Sequence, residues 1–131
     1  LSRGAGLVEA VESNPVSAKV CEDNFSLLTG PEAVGQFKVH TKTVFEYLNH
    51  LATGSFEIIY IDPPYEVENT EVEKILKKIF NLNLLNKFGV IAIERDAKGK
   101  TFSWPEGFSE LKVRSYGAGA IHYGVLTERN L

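Results

Sequence analysis

Phe56-Glu57-Ile58-Ile59-Tyr60-Ile61 runs straight into Asp62-Pro63-Pro64-Tyr65. The first six residues are almost continuously apolar or β-branched, which is the pattern of a strand buried on both faces of a parallel sheet. The next four cannot extend it, because two consecutive prolines fix φ and remove two backbone donors. Aspartate followed by proline is also an ordinary way to begin a loop. Position adds weight to the chemical reading: open α/β sheets bind ligands at the carboxyl ends of their strands.

Reading outward from this stretch, residues 69–85 predict an amphipathic helix. Val72, Ile75, Leu76, Ile79 and Phe80 share one face, with Lys74, Lys77 and Lys78 opposite. Phe88 to Glu94 is the next buried strand, and residues 97–109 read as loop. Leu111 to Tyr116 and Ala120 to Thr127 predict an antiparallel pair around Gly117-Ala118-Gly119. Upstream, Leu7 to Glu12 predicts a short strand, and Ser13-Asn14-Pro15 supplies helix-start chemistry. Val16, Val20, Phe25 and Leu28 give a helical stripe that Gly30-Pro31 breaks. Phe37 to His40 is a second strand, and Val44, Tyr47, Leu48 and Leu51 fall at the spacing of a helix that Gly54 ends. Three strand-helix units followed by two strands predict one α/β domain over residues 1–131, with a mostly parallel sheet and a C-terminal antiparallel hairpin.

Composition narrows the setting. The chain has 131 residues, 44% hydrophobic and 24% charged, as expected of a folded globular domain. No apolar run approaches the roughly 20 residues of a membrane span. Cys21 is the one cysteine, so neither an internal disulfide nor a cysteine-based zinc site is expected, and a reducing cytoplasm is the expected home. His40, His50 and His122 lack metal-ligand spacing, and no metal is expected. A net charge of −3 gives no long-range attraction to nucleic acid. Any RNA contact must then come from local groups, and Arg95, Lys98 and Lys100 are the candidates on the functional edge. Phe102 and Trp104 read as loop packing, with contact to an unstacked base as the other possibility.

The tetrapeptide suits an exocyclic amine on a nucleobase. Such a nitrogen is a poor nucleophile, because its lone pair is delocalised into the ring. The Asp62 carboxylate and a proline carbonyl can accept its two N–H groups and favour a pyramidal nitrogen. This is electrostatic catalysis by preorganised acceptors. The Tyr65 ring can stack on the base, an interaction of about 1–3 kcal/mol. A base in a duplex would first be flipped out.

On these residues the chain resembles the RsmD-type methyltransferases, which use S-adenosylmethionine to methylate N2 of a guanine in small-subunit ribosomal RNA. Asp62-Pro63-Pro64-Tyr65 matches the family's catalytic motif. Leu1-Ser2-Arg3-Gly4-Ala5 resembles the end of its first Rossmann helix, and Val11-Glu12-Ser13-Asn14 the end of its second strand. Tyr116-Gly117 with Ile121 and Tyr123 resembles its terminal hairpin. The resemblance implies a Rossmann-like methyltransferase fold and S-adenosylmethionine as cofactor. It also implies ribosomal RNA or the assembling small subunit as partner, and a monomer when complete. It assigns the ribose hydroxyls to Glu12 and places Ser13 near the adenine. Thr43, within Thr41-Lys42-Thr43-Val44, stands where the family has Asp or Asn near the adenine amino group, and threonine can still accept a hydrogen bond. Asp62 faces both cofactor and substrate.

The resemblance also implies that the glycine-rich cofactor loop and the first strand precede residue 1. That strand would lie between residues 7–12 and 56–61. The chain alone is therefore expected to bind cofactor weakly and to be inactive as an isolated fragment. The Asp-Pro-Pro-Tyr chemistry also permits an adenine-N6 methyltransferase. The missing glycine loop permits a non-catalytic RNA-binding module.

Overall fold

The computed structural model describes residues 5–28 and 35–128. In chain order its elements are β1 (Leu7–Val11), α1 (Pro15–Leu28), β2 (Gln36–His40) and α2 (Val44–Glu46), which continues as a π-helical turn over Tyr47–Leu51. Then come β3 (Phe56–Ile61), α3 (Asn69–Asn81), β4 (Leu85–Asp96), β5 (Phe108–Tyr116) and β6 (Gly119–Leu126). They fall into two compact units, Leu1–Ala52 and Thr53–Leu131. No helix among the described residues is long and apolar enough to cross a membrane.

In the first unit β1 and β2 pair in parallel from Leu7↔Gln36 to Val11↔His40. The Glu12 N–H donates to the His40 carbonyl at 3.0 Å and carries the pairing one residue past β1. Helix α1 starts on Asn14, whose Oδ1 accepts from the Val16 and Ser17 N–H groups at 2.9 and 3.2 Å. Pro15 occupies the first helical position, where its missing donor costs nothing. The expected apolar stripe is displaced: Val16 and Val20 are exposed, while Ala18 is buried. Phe25 stacks on Phe37 of β2 at 4.9 Å. The expected break at Gly30-Pro31 lies outside the described residues. Thr43 and Glu46 form a reciprocal capping box at the start of α2.

The second unit is a four-stranded sheet in the order β3-β4-β6-β5. Only β3 and β4 run parallel; β4–β6 and β5–β6 are antiparallel, so this sheet is mixed rather than mostly parallel. The cause is local. Gly117 takes φ +52°, Tyr116 pairs with Gly119, and the two-residue turn sends β6 back antiparallel. Strand β6 then pairs with β4 on its other side, leaving β5 at the edge.

Helix α3 buries Val72, Ile75, Leu76 and Ile79, as its pattern predicts. It ends at Asn81 rather than near residue 85. Asn83 adopts φ +54°, its N–H donates to the Phe80 carbonyl at 3.1 Å, and the Leu84 N–H donates to the Ile79 carbonyl at 3.1 Å. This is a Schellman stop with asparagine in the left-handed position. It frees Leu85 to begin a 12-residue β4, longer than the expected Phe88–Glu94. Ile91 and Ile93 of β4 are fully buried. An aromatic chain completes the core: Phe80 meets Phe108 at 5.7 Å, Trp104 meets Phe108 at 5.9 Å, and Phe102 meets Trp104 at 5.1 Å. Phe102 is 4% exposed, so it packs and does not present a face to a base. Trp104 lies across Gly124, where any Cβ would collide with its ring.

Candidate active site

The carboxyl end of β3 carries the acidic loop. Successive strand residues point to opposite faces, so Tyr60 and Asp62 share a face. In the parallel register Tyr60 lies opposite Ala92 on β4, and Glu94 is two residues further along that same face. The Tyr60 hydroxyl donates to Glu94 Oε1 at 2.8 Å, and the Tyr116 hydroxyl at the end of β5 lies beside the same carboxylate. The Tyr116 and Tyr60 hydroxyls hold Glu94 below the usual carboxylate range. The Glu94 carboxylate is the main cause that pushes Tyr116 up to about 12, and Tyr60 is raised likewise. Asp62 is raised, chiefly by burial and then by the charge of Glu94. Two carboxylates on one face are thus driven apart: Glu94 stays ionised, and Asp62 takes a proton more readily. Such separation is typical of acid–base assignments.

Tyr65 closes the group from the loop side. A Cβ on Gly119 would sit 2.9 Å from the Tyr65 hydroxyl and 3.3 Å from the Tyr116 ring, so a residue without a side chain is what lets both rings approach β6.

The other side of the loop is fixed by Arg95. Its side chain points to the opposite face from Glu94, and the residue is 6% exposed. The guanidinium donates to the Val67 carbonyl at 2.5 Å, to Asn69 Oδ1 at 3.1 Å and to the Pro64 carbonyl at 3.4 Å. Asn69 passes the link on by donating to the Lys100 carbonyl at 2.9 Å. The Pro64 carbonyl also accepts from the Val67 N–H at 3.0 Å, which closes a turn around Tyr65 and Glu66. The Pro64 carbonyl is therefore spent on the protein, while no hydrogen bond to the Pro63 carbonyl is present among the described residues.

The three basic residues expected to meet RNA are brought together with Tyr65, Asn69 and Asp96 around a recess of about 290 Å³. Their roles differ. Arg95 is buried and committed to the loop, so it does not present its charge to a phosphate. Lys98 and Lys100 are exposed. Asp96 Oδ1 accepts the Lys98 N–H at 3.0 Å and shapes the turn that carries them.

In the first unit, Glu12 and Thr43 follow adjacent parallel strands and stand at the same edge. Glu12 Oε1 accepts the Asn14 N–H at 3.0 Å, which fixes the side chain at the strand end and leaves its second oxygen for a ribose diol. A carboxylate so placed fits the ribose of an adenosyl cofactor. Thr43 Oγ1 accepts the Glu46 N–H at 3.1 Å, so one of its lone pairs is spent on the cap. Ser13 is exposed, and Val44, 38% exposed, opens α2 beside the cap. Glu9, three residues earlier, is internal: it accepts from His40 Nε2 at 2.9 Å and from the Tyr47 hydroxyl at 3.5 Å. Burial, with the charge of Glu9, pushes Tyr47 up to about 12. Among the described residues no group of three or more His, Cys, Asp or Glu is placed to hold a metal ion.

Glu94, Tyr60 and Tyr116 were not among the candidate site residues of the sequence, where Tyr116 entered only as part of the terminal hairpin. The signal was present: Glu94 is an acid near the carboxyl end of a buried strand, and Tyr60 is two residues from Asp62.

The family described as conserved hypothetical protein 95 matches residues 1–125, and the chain belongs to it. No curated protein matches the chain in sequence. Several solved structures share its fold. A conserved hypothetical protein from Streptococcus pyogenes superposes with a TM-score of 0.84 at 21% identity, over 99% of this chain and 78% of that one. The Escherichia coli protein yhhF, described as a methyltransferase, gives a TM-score of 0.79 at 16% identity, over 96% of this chain and 68% of its own. SMU.776, described as a methyltransferase complexed with SAH, gives 0.65 at 19% identity, over 92% of this chain and 39% of its own. At these identities the likeness is one of fold.

Proposed function

We propose that this chain belongs to an S-adenosylmethionine-dependent methyltransferase that places a methyl group on the exocyclic N2 of a guanine in small-subunit ribosomal RNA. The observation that carries the reading is the end of β3. Asp62, an open Pro63 carbonyl and the Tyr65 ring stand together there, on a loop fixed from behind by Arg95. The fold shared with proteins described as methyltransferases supports the reaction class. The resemblance to the RsmD-type enzymes supports the guanine and the ribosomal RNA.

S-adenosylmethionine supplies an electrophilic methyl group on a sulfonium. The chain's own residues handle the amine. Asp62 and the Pro63 carbonyl accept its two N–H groups and turn its lone pair out of the ring plane. Tyr65 stacks on the base and holds it out of its helix. The nitrogen that gains a methyl group carries one proton too many, and Asp62, raised in pKa by burial, accepts it. Glu12 accepts from the ribose hydroxyls, with Ser13, Thr43 and Val44 beside the adenine. Lys98 and Lys100 take phosphates of the RNA strand, and the reaction belongs in the cytoplasm.

The test is methyl transfer to small-subunit ribosomal RNA by the intact protein, beside Asp62→Ala. The reading expects N2-methylguanosine from the first and at least about a 100-fold loss in the second, the scale of losing one preorganised electrostatic group. Equal product from both would refute it.

A further inference from the structure

Glu94 takes no part in holding the amine, yet the fold grips it firmly. The Tyr60 phenol of β3 donates to Oε1 at 2.8 Å, and the Tyr116 phenol of β5 lies beside it. A carboxylate offers about four acceptor positions, and these phenols leave others open. It lies on the same face of the sheet as Asp62, near enough for its charge to raise that residue. The surrounding groups are Tyr60, Tyr65 and Tyr116, with Gly119 giving the space for two of the rings.

These groups make demands on a base. Tyrosine rings accept any aromatic ring system, since every base has a π-face. The two carboxylates are more selective, because an ionised carboxylate accepts hydrogen bonds and donates none. In guanine the exocyclic N2 amine is flanked by N1–H, so two adjacent groups donate. In adenine the exocyclic N6 amine is flanked by N1, which bears a lone pair. With the amine on Asp62, a second carboxylate matches the first pattern and repels the second.

We propose that Glu94 is the residue that makes this site accept guanine and refuse adenine, its carboxylate accepting the ring N–H next to the amine held by Asp62. The inference rests on the reading of the site as an amine methyltransferase. It gives Glu94 a task distinct from that of Asp62: one carboxylate holds the reacting nitrogen, the other reads its neighbour. A site built to accept a hydrogen bond rejects an analogue that cannot donate it. For a solvent-facing contact the expected discrimination is about 10- to 100-fold, the range of one good base-edge contact.

The experiment uses oligouridines with one variable base: guanosine, 2-aminopurine riboside or adenosine. 2-Aminopurine keeps the 2-amino group and lacks both N1–H and O6, so the contact assigned to Glu94 is the part of the guanosine preference that changes with Glu94. Binding is read by fluorescence anisotropy and methylation by label transfer, with the intact protein. Wild type should prefer guanosine over 2-aminopurine by about 10- to 100-fold. Glu94→Gln should bring that ratio below about threefold, because an amide can accept from N1–H or donate to N1. Tyr60→Phe removes the phenol that donates to Glu94 and leaves the carboxylate. It should lower the ratio by about two- to fivefold, and it decides the matter alone if Glu94→Gln does not fold. A wild type that binds both bases equally, or a Glu94→Gln or Tyr60→Phe protein with the full preference, overturns the proposal. If guanosine binding depends on Glu94 but no base is methylated, the methyltransferase reading fails and the role of Glu94 stands.

Discussion

Arg95→Ala should loosen the catalytic loop and cost stability together. The guanidinium makes two short bonds, to the Val67 carbonyl and Asn69 Oδ1, and a longer one to the Pro64 carbonyl. A hydrogen bond from a charged donor contributes about 1.5–3 kcal/mol. Counting only the two short bonds gives about 3–6 kcal/mol. Water entering the space left by the side chain returns part of this, so the expected loss is about 2–4 kcal/mol. Arg95→Lys keeps the charge but loses the planar fork, and should recover less than half. Trp104 is the one tryptophan of the chain and packs in the same unit, against Phe102 and Phe108. Its fluorescence during urea unfolding therefore reports on the unit that Arg95 ties together. The midpoint should fall while the slope stays constant, the sign of changed stability rather than changed compactness. A loss under about 1 kcal/mol for Arg95→Ala would refute the reasoning, since a buried charge with three acceptors cannot be idle.

Other expectations follow from the same geometry. Gly119→Ala places a methyl group 2.9 Å from the Tyr65 hydroxyl; methyl transfer should fall at least about tenfold with a stability change of no more than about 1 kcal/mol, checked by kinetics and thermal unfolding. Asp62 is raised above 3.8 by burial and by Glu94. A reaction that needs its ionised form is therefore present above that raised value and lost as pH falls through it, and Glu94→Gln should move this acid limb of kcat/KM to lower pH. Glu12→Ala should weaken S-adenosylhomocysteine binding by about tenfold in calorimetry, the scale of two lost hydroxyl contacts, without altering the Trp104 signal. Lys98→Ala with Lys100→Ala should weaken RNA binding similarly for all sequences and reduce its salt dependence, as phosphate contacts do.

Much of the second unit was legible in local pattern. Phe56–Ile61 is a strand with the expected bounds, but it is not buried on both faces, since Ile58 and Tyr60 are exposed; α3 buries the face its periodicity gives except at Phe80, which is 42% exposed. The misreadings came where a single backbone conformation or a distant partner decided. Asn83 stops α3 through a left-handed turn, and no apolar period announces that. Of the expected Val16, Val20, Phe25 and Leu28 stripe, Phe25 packs on Phe37 of β2, while Val16 and Val20 are exposed and Ala18 is buried, because a long-range partner selects the face. The mixed sheet depends on β6 entering between β4 and β5, a choice of pairing that strand propensity leaves open.

The site divides in the same way. Asp62 and its prolines were visible as a motif. Arg95 was visible only as a charge, and the sequence therefore sent it toward RNA; its burial shows that it anchors the loop instead. Glu94 and the tyrosines needed the strand register, since Tyr60 meets Glu94 only once β3 and β4 are aligned.

The most direct test of the central claim is nucleoside mass analysis of small-subunit ribosomal RNA after incubation of the intact protein with isotopically labelled S-adenosylmethionine. The account predicts labelled N2-methylguanosine that disappears with Asp62→Ala. Label on N6 of adenine, or on no base, would contradict it.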